Sequence, residues 1–148
     1  MLAGIGIIFR LLFIAVLPNL SQDFYRFIWD GRLITQGISP YLFIPENYIE
    51  DTSNSFGTII NQAQELYNGM GSLNGSHFSN YPAINQLCFA IVSVFAGKNI
   101  LGSVVVVRII LILADIGILC IGKKLLLKLH LNPNQIFWYF LNPFIVIE

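Results

Sequence analysis

The sequence predicts an all-α integral membrane protein, in which transmembrane helices are joined by a long external loop holding juxtamembrane helices. Three observations carry that expectation. Hydrophobic residues make up 55% of the 148 and charged residues only 11%, against about 25% charged in a soluble domain. Apolar runs of membrane length occur at 1–18 and 100–122. Between them the polar stretch 19–81 contains segments of helical periodicity.

The first run, MLAGIGIIFRLLFIAVL, is apolar except for Arg10. It sits at the lower edge of the roughly 17–25 residues a span needs. Its one charge is misplaced for a signal peptide, and no small-x-small cleavage site precedes Pro18. It therefore reads as a first span over 1–18, shortened at its own start. Arg10 is costly in lipid and should face protein or a polar cavity.

The segment 19–99 is organised around Ser21-Gln22-Asp23-Phe24-Tyr25-Arg26-Phe27-Ile28-Trp29-Asp30-Gly31-Arg32. Ser21 suits the cap of a helix starting at Gln22, and Asp23 then falls in the first turn, where the dipole favours a carboxylate. Gly37 suits the position after the helix, and Pro40 prevents its resumption. At about 100° per residue, Asp23, Arg26 and Asp30 lie within roughly 60° of one another. That face is either a solvated salt-bridge surface or an acid–base–acid constellation with a chemical task.

Downstream, Pro40-Tyr41 and Pro45 mark an extended or turning passage. Phe56, Ile59, Ile60, Ala63, Leu66 and Tyr67 recur at helical spacing, so an amphipathic helix is expected over about 51–69, capped by Thr52 or Ser53. Gly69, Gly71 and Gly75 then suggest a loop to residue 80, in which His77 is a loop residue. Asn74-Gly75-Ser76 matches a glycosylation sequon, a weak three-residue pattern. The run 82–96 is short for a span and contains Asn85 and Gln86, which favours a re-entrant or interfacial helix.

The second span, 100–122, carries Arg108 and Asp115, seven residues and roughly 10 Å apart on one helix face. They should face protein or a water-filled cavity, as a packing pair or part of a polar pathway. Lys123, Lys124, Lys128 and His130 mark 123–134 as a cytoplasmic loop. Residues 135–148 begin a further apolar helix, broken near Asn142-Pro143, and read as an incomplete span of a truncated chain. With 123–134 inside and 82–96 not crossing, 19–99 lies outside; if 82–96 crosses, the Asp23 helix is on the cytoplasmic side. Between 19 and 97 there are six acidic residues and only two basic ones, as an external loop should have. The zero net charge gives no reason to expect nucleic acid. Cys88 and Cys120 lie in apolar runs without metal-ligand spacing and read as apolar filler.

Taken together, the Asp23 helix, Gly37-Ile38-Ser39-Pro40-Tyr41, Tyr81-Pro82, Arg108 with Asp115, and Leu141-Asn142-Pro143 resemble the N-terminal part of the GT-C membrane glycosyltransferases. The likeness is greatest to bacterial polyprenyl-phosphate-mannose-dependent mannosyltransferases, and the catalytic subunit of GPI mannosyltransferase looks like a distant relative. Two departures stand out. The family often has paired acids where this chain has Gln22-Asp23, and Tyr-Pro-Pro where it has Tyr81-Pro82-Ala83.

The resemblance implies a multi-pass protein of the bacterial inner (plasma) membrane. Its activity would be transfer of a sugar from a polyprenyl-phosphate donor to a glycan or lipid acceptor hydroxyl on the outer face, with inversion. Asp23 is then the general base. Arg26 and Arg32 are candidates for the donor phosphate, Asp30 for orienting Arg26, and Tyr41 and Tyr81 for sugar contact. One or two carboxylates do not make a metal site, so a divalent cation stays open. The competing classes are a non-catalytic membrane or assembly protein, an inactive fragment of such an enzyme, and a transporter-like segment using Arg108 and Asp115.

Overall fold

The computed structural model describes residues 1–18, 21–50 and 60–147, and among them the chain is helical with no strand. The helices are α1 (Leu2–Leu12), α2 (Asp23–Thr35), α3 (Pro45–Glu50), α4 (Ala63–Gly75), α5 (Ala83–Ala96), α6 (Ile100–Lys128), α7 (Ile136–Phe140) and α8 (Pro143–Ile147). They form two compact units, one of residues 17–107 and one of 1–16 with 108–148.

In the 17–107 unit α2 is central and packs on α4 and α5, while α3 packs on α4. Phe24, Ile28, Trp29 and Leu33 of α2 enter a core with Tyr48, Ile60, Leu66, Met70 and Val104. The helix starts one residue later than expected, because Gln22 takes the cap position. Ser21 still acts there, its Oγ accepting from the Asp23 N–H at 3.1 Å. The far end closes as expected. Gly37 has φ +76°, its N–H reaches Ile34 O at 2.9 Å, and the Ile38 N–H reaches Leu33 O at 3.0 Å. This pair of bonds satisfies the last carbonyls of the helix through a left-handed residue, and it lays Ile38 on the core beside Leu33.

Helices α2 and α5 touch backbone to backbone at Gly31. A Cβ on Gly31 would stand 2.1 Å from the Phe89 carbonyl oxygen, and Phe27 stacks on Phe89 with centroids 4.5 Å apart. Gly31→Ala is therefore expected to cost about 1–3 kcal/mol, the usual range for overpacking, because a backbone atom cannot rotate away. A matching fall in the unfolding midpoint checks this.

Helix α4 departs from expectation. Residues 51–59, with Thr52, Ser53, Phe56 and Ile59, lie outside the described residues. The described helix runs from Ala63 to Gly75 and is kinked at Gly71 (φ 73°, ψ 164°), where two helical pieces meet. Gly69 lies within it and Gly75 ends it, and both positions admit only glycine because rings occupy the space a side chain would need. A Cβ would lie 2.6 Å from the Tyr25 ring at Gly69 and 2.5 Å from the Tyr67 ring at Gly75.

Helix α6 has 29 residues, and among the described residues it is the one helix long and apolar enough to cross a membrane. Asn99 caps it, Oδ1 accepting from the Gly102 N–H at 3.0 Å. It ends through His130 in the left-handed region, with the Leu131 N–H on Leu126 O at 2.9 Å. It thus runs past residue 122 and takes in Lys123, Lys124 and Lys128 from the expected loop. At about 43 Å it exceeds the roughly 30 Å hydrocarbon layer.

In the other unit, α1 has 11 residues, about 16 Å, and stops short of the expected span over 1–18. The carbonyl of Phe13, just past its end, accepts from Arg108 Nη1. Arg10 is buried, as its position in an apolar run demanded. Its Nε pairs with Asp115 Oδ2 at 2.7 Å, and its Nη1 donates to Gly6 O at 3.1 Å and Phe140 O at 2.9 Å. Its guanidinium lies 4.3 Å from the Phe140 ring centre. Tyr139 Oη donates to Asp115 Oδ1 at 3.2 Å. Asp115 therefore serves Arg10 rather than Arg108, which shares its helix. Asp115→Ala leaves Arg10 Nε and the Tyr139 hydroxyl without their acceptor, and a loss of about 1–3 kcal/mol is expected. Thermal unfolding in detergent measures it. Asn132 and Asn142 open the following helical turns, accepting from the Asn134 and Phe144 N–H groups at 2.9 and 3.0 Å. The break at Asn142-Pro143 falls where the sequence placed it.

Candidate functional site

The acid–base–acid face of α2 is not a solvated surface. Arg26 and Asp30 are buried, Asp30 completely. Their i,i+4 spacing brings Arg26 Nε to Asp30 Oδ1 at 2.8 Å. Asp30 Oδ2 accepts from Ser79 Oγ at 2.6 Å and from Gln86 Nε2 at 2.9 Å, and Gln86 Nε2 also lies 2.7 Å from Ser79 Oγ. Arg26 Nη1 donates to the carbonyls of Asn74 at 2.6 Å and His77 at 2.9 Å. Arg26 Nη2 has no partner among the described residues. Both carboxylate oxygens of Asp30 are thus engaged inside the fold, and a contact to substrate or a metal would have to displace them.

Asp23 stands one turn before Arg26 and is half-buried. Its Oδ1 accepts from Asn74 Nδ2 at 2.9 Å. Among the described residues no side chain donates to its Oδ2. Asn74 therefore ties the region together, its side chain holding Asp23 and its carbonyl holding Arg26. Tyr81 is half-buried beside them, its ring edge-on to Phe27 and Phe89 at 5.0 and 5.7 Å. Burial pushes its phenol above the ordinary tyrosine range, with Asp23 and Asp30 adding to the rise and Arg26 opposing it. Tyr41 is exposed, and its Oη donates to Tyr81 O at 2.6 Å. His77 Nδ1 lies 2.6 Å from Leu73 O, where it stabilises the end of α4.

Arg32 is not part of this group. It is buried and donates through Nη1 to Asn61 O and through Nη2 to Gln62 Oε1 and Lys98 O, both at 3.2 Å. Burial lowers its pKa from the ordinary arginine value, with Glu65 partly offsetting this. Near it an open cleft of about 520 Å³ is lined by Tyr25, Gln62, Glu65, Lys98, Asn99 and Ile100, among others. Asp23 is not among the lining residues.

The structure thus gathers Asp23, Arg26, Asp30, Tyr81 and Tyr41, and places Arg32 elsewhere. Sequence reasoning missed Asn74, Ser79 and Gln86 as members. Gln86 carried a signal, a long amide inside an apolar helix. Ser79 carried none. Among the described residues no three His, Cys, Asp or Glu side chains cluster to hold a metal ion. Cys88 and Cys120 are free thiols. Compared with known proteins, the chain matches no family model, no curated protein and no solved structure.

Proposed function

We propose that the protein is a membrane glycosyltransferase, with mannose as the first sugar to test. It would move a sugar from a polyprenyl-phosphate donor to an acceptor hydroxyl at the outer membrane face, with Asp23 as general base. The observation that carries this reading is the setting of Asp23. It is a half-buried carboxylate with one oxygen anchored by Asn74 at 2.9 Å, beside a rigid ion pair and a tyrosine. A base must keep an oxygen free for the acceptor proton while the rest of the group is held still.

In this reading Asp23 Oδ2 takes the proton as the acceptor oxygen attacks the anomeric carbon. The bond from that carbon to the phosphate oxygen breaks, and polyprenyl phosphate leaves from the opposite face, inverting the centre. Arg26 holds the Asn74 carbonyl and so steadies the residue that anchors Asp23, Tyr41 and Tyr81 border the sugar, and Asp30 and Arg32 serve the fold. Residues 19–99 would lie outside a bacterial plasma membrane that the protein crosses more than once, with the lysines at the end of α6 inside.

The alternative is a non-catalytic membrane or assembly protein. The observation favouring it is that Arg26, Asp30 and Arg32 are all engaged in internal contacts. The deciding experiment supplies membranes containing the protein with mannosyl-, glucosyl- and N-acetylglucosaminyl-phosphate polyprenols and an acceptor extract. Release of polyprenyl phosphate with a new glycoside, above membranes lacking the protein, supports the transferase. No turnover of any donor supports the alternative.

A further inference from the structure

The open cleft of about 520 Å³ near Arg32 takes no part in the chemistry assigned to Asp23. Tyr25, which lines it, stands about 160° round α2 from Asp23. Two opposite charges line it as well: Glu65 in the first turn of α4, and Lys98 in the turn before α6. Among the described residues no ion pair joins these two, and the Lys98 ammonium has no partner. Opposite charges that share a cleft without pairing suit a ligand that carries both signs. Buried Arg32 braces both walls. Its Nη2 donates to Gln62 Oε1 and to Lys98 O, each at 3.2 Å, and Gln62 Nε2 donates to Glu65 Oε2 at 2.9 Å. One oxygen of Glu65 is thereby held, while Oε1 has no donor among the described residues. The positive end of the α6 dipole adds to the Lys98 side.

We infer that this cleft binds the headgroup of a phospholipid bearing a primary amine, phosphatidylethanolamine. Lys98 takes the phosphate and Oε1 of Glu65 takes the ammonium, as charge-assisted bonds. Leu17, Ile100 and Leu101, the apolar part of the lining, meet the first part of the acyl chains. The place favours a lipid over a soluble ligand. Leu17 ends the first apolar run, and Ile100 and Leu101 begin the helix of membrane length, so the cleft sits where α6 enters the bilayer. The charges choose among lipids. A purely anionic headgroup brings no cation to Glu65 and is repelled by it. A choline headgroup has no N–H to give a carboxylate, and Tyr25 alone does not make the aromatic cage that suits a quaternary ammonium. The inference rests on α6 crossing the membrane and is independent of the transferase chemistry.

The test titrates the detergent-solubilised full chain with dioleoyl phosphatidylethanolamine, phosphatidylcholine or phosphatidylglycerol, or with free phosphoethanolamine, and counts bound molecules by native mass spectrometry. One phosphatidylethanolamine per chain is expected, bound at least about tenfold more tightly than the other three. Glu65→Gln and Lys98→Gln are each expected to weaken it about tenfold or more, since each removes one bond to a charged group. Both side chains are exposed, so both variants are expected to keep the wild-type urea midpoint of Trp29 emission. Equal or absent binding of the three lipids means the cleft selects none. Preference for phosphatidylglycerol means a site for anions alone. Equal binding of free phosphoethanolamine means the ligand is soluble. Unchanged phosphatidylethanolamine binding in either variant means the headgroup lies elsewhere. Any of these four results overturns the inference.

Discussion

Asp30→Ala is expected to destabilise the 17–107 unit by about 3–5 kcal/mol, the range for removing one member of a buried ion pair. The side chain is wholly buried, and three donors converge on it from α2, the segment before α5 and α5 itself: Arg26, Ser79 and Gln86. Without it, a buried guanidinium keeps its charge and two polar groups lose their acceptor. Whole domains are held by only about 5–15 kcal/mol, so this one change removes a large share. The reporter is built in. Trp29 is 1% exposed whereas Trp138 is 86% exposed, so loss of the α2 core shifts the Trp29 emission to the red at a lower urea concentration. An unchanged midpoint would mean that the network adds nothing to stability.

Asp23→Asn is expected to behave in the opposite way. Asparagine keeps an oxygen for Asn74 Nδ2, so stability should change by only about 0.3–1 kcal/mol, the loss of a carboxylate at the first turn of a helix. The effect falls on turnover. An amide cannot accept the acceptor proton, and loss of general-base catalysis typically costs about 10²–10⁴ in rate. In the proposed reading the two acids, seven residues apart on one helix, divide their work, Asp30 holding the fold and Asp23 serving as the base.

That division was only half legible in the sequence. The i,i+4 spacing of Arg26 and Asp30 predicted their pairing, and Ser21, Gly37 and Asn142-Pro143 marked helix ends that the structure uses. Helical periodicity places charges on a face but does not reveal what covers that face. Here Asn74, Ser79 and Gln86, all more than 40 residues from the α2 acids they bond, turn a surface pattern into a buried network. Arg32 shows the same limit, because the carbonyls of Asn61 and Lys98 that engage it have no signature in side-chain sequence. Glycine misled in α4, where residues 69 and 75 read as loop. They belong to the helix, and the Tyr25 and Tyr67 rings leave room there only for glycine, so these glycines serve packing rather than a turn. Arg10, Arg108 and Asp115 were each legible as charges that must face protein or a polar cavity. Their pairing was not, because it depends on how α1 meets α6.

The most direct test of the proposed chemistry is the turnover of a polyprenyl-phosphate sugar by Asp23→Asn protein, at folded concentrations matched to wild type by Trp29 emission. A drop of about 10²–10⁴ with unchanged unfolding is the expected result. Wild-type turnover in the Asp23→Asn protein would contradict the account and remove Asp23 from the mechanism.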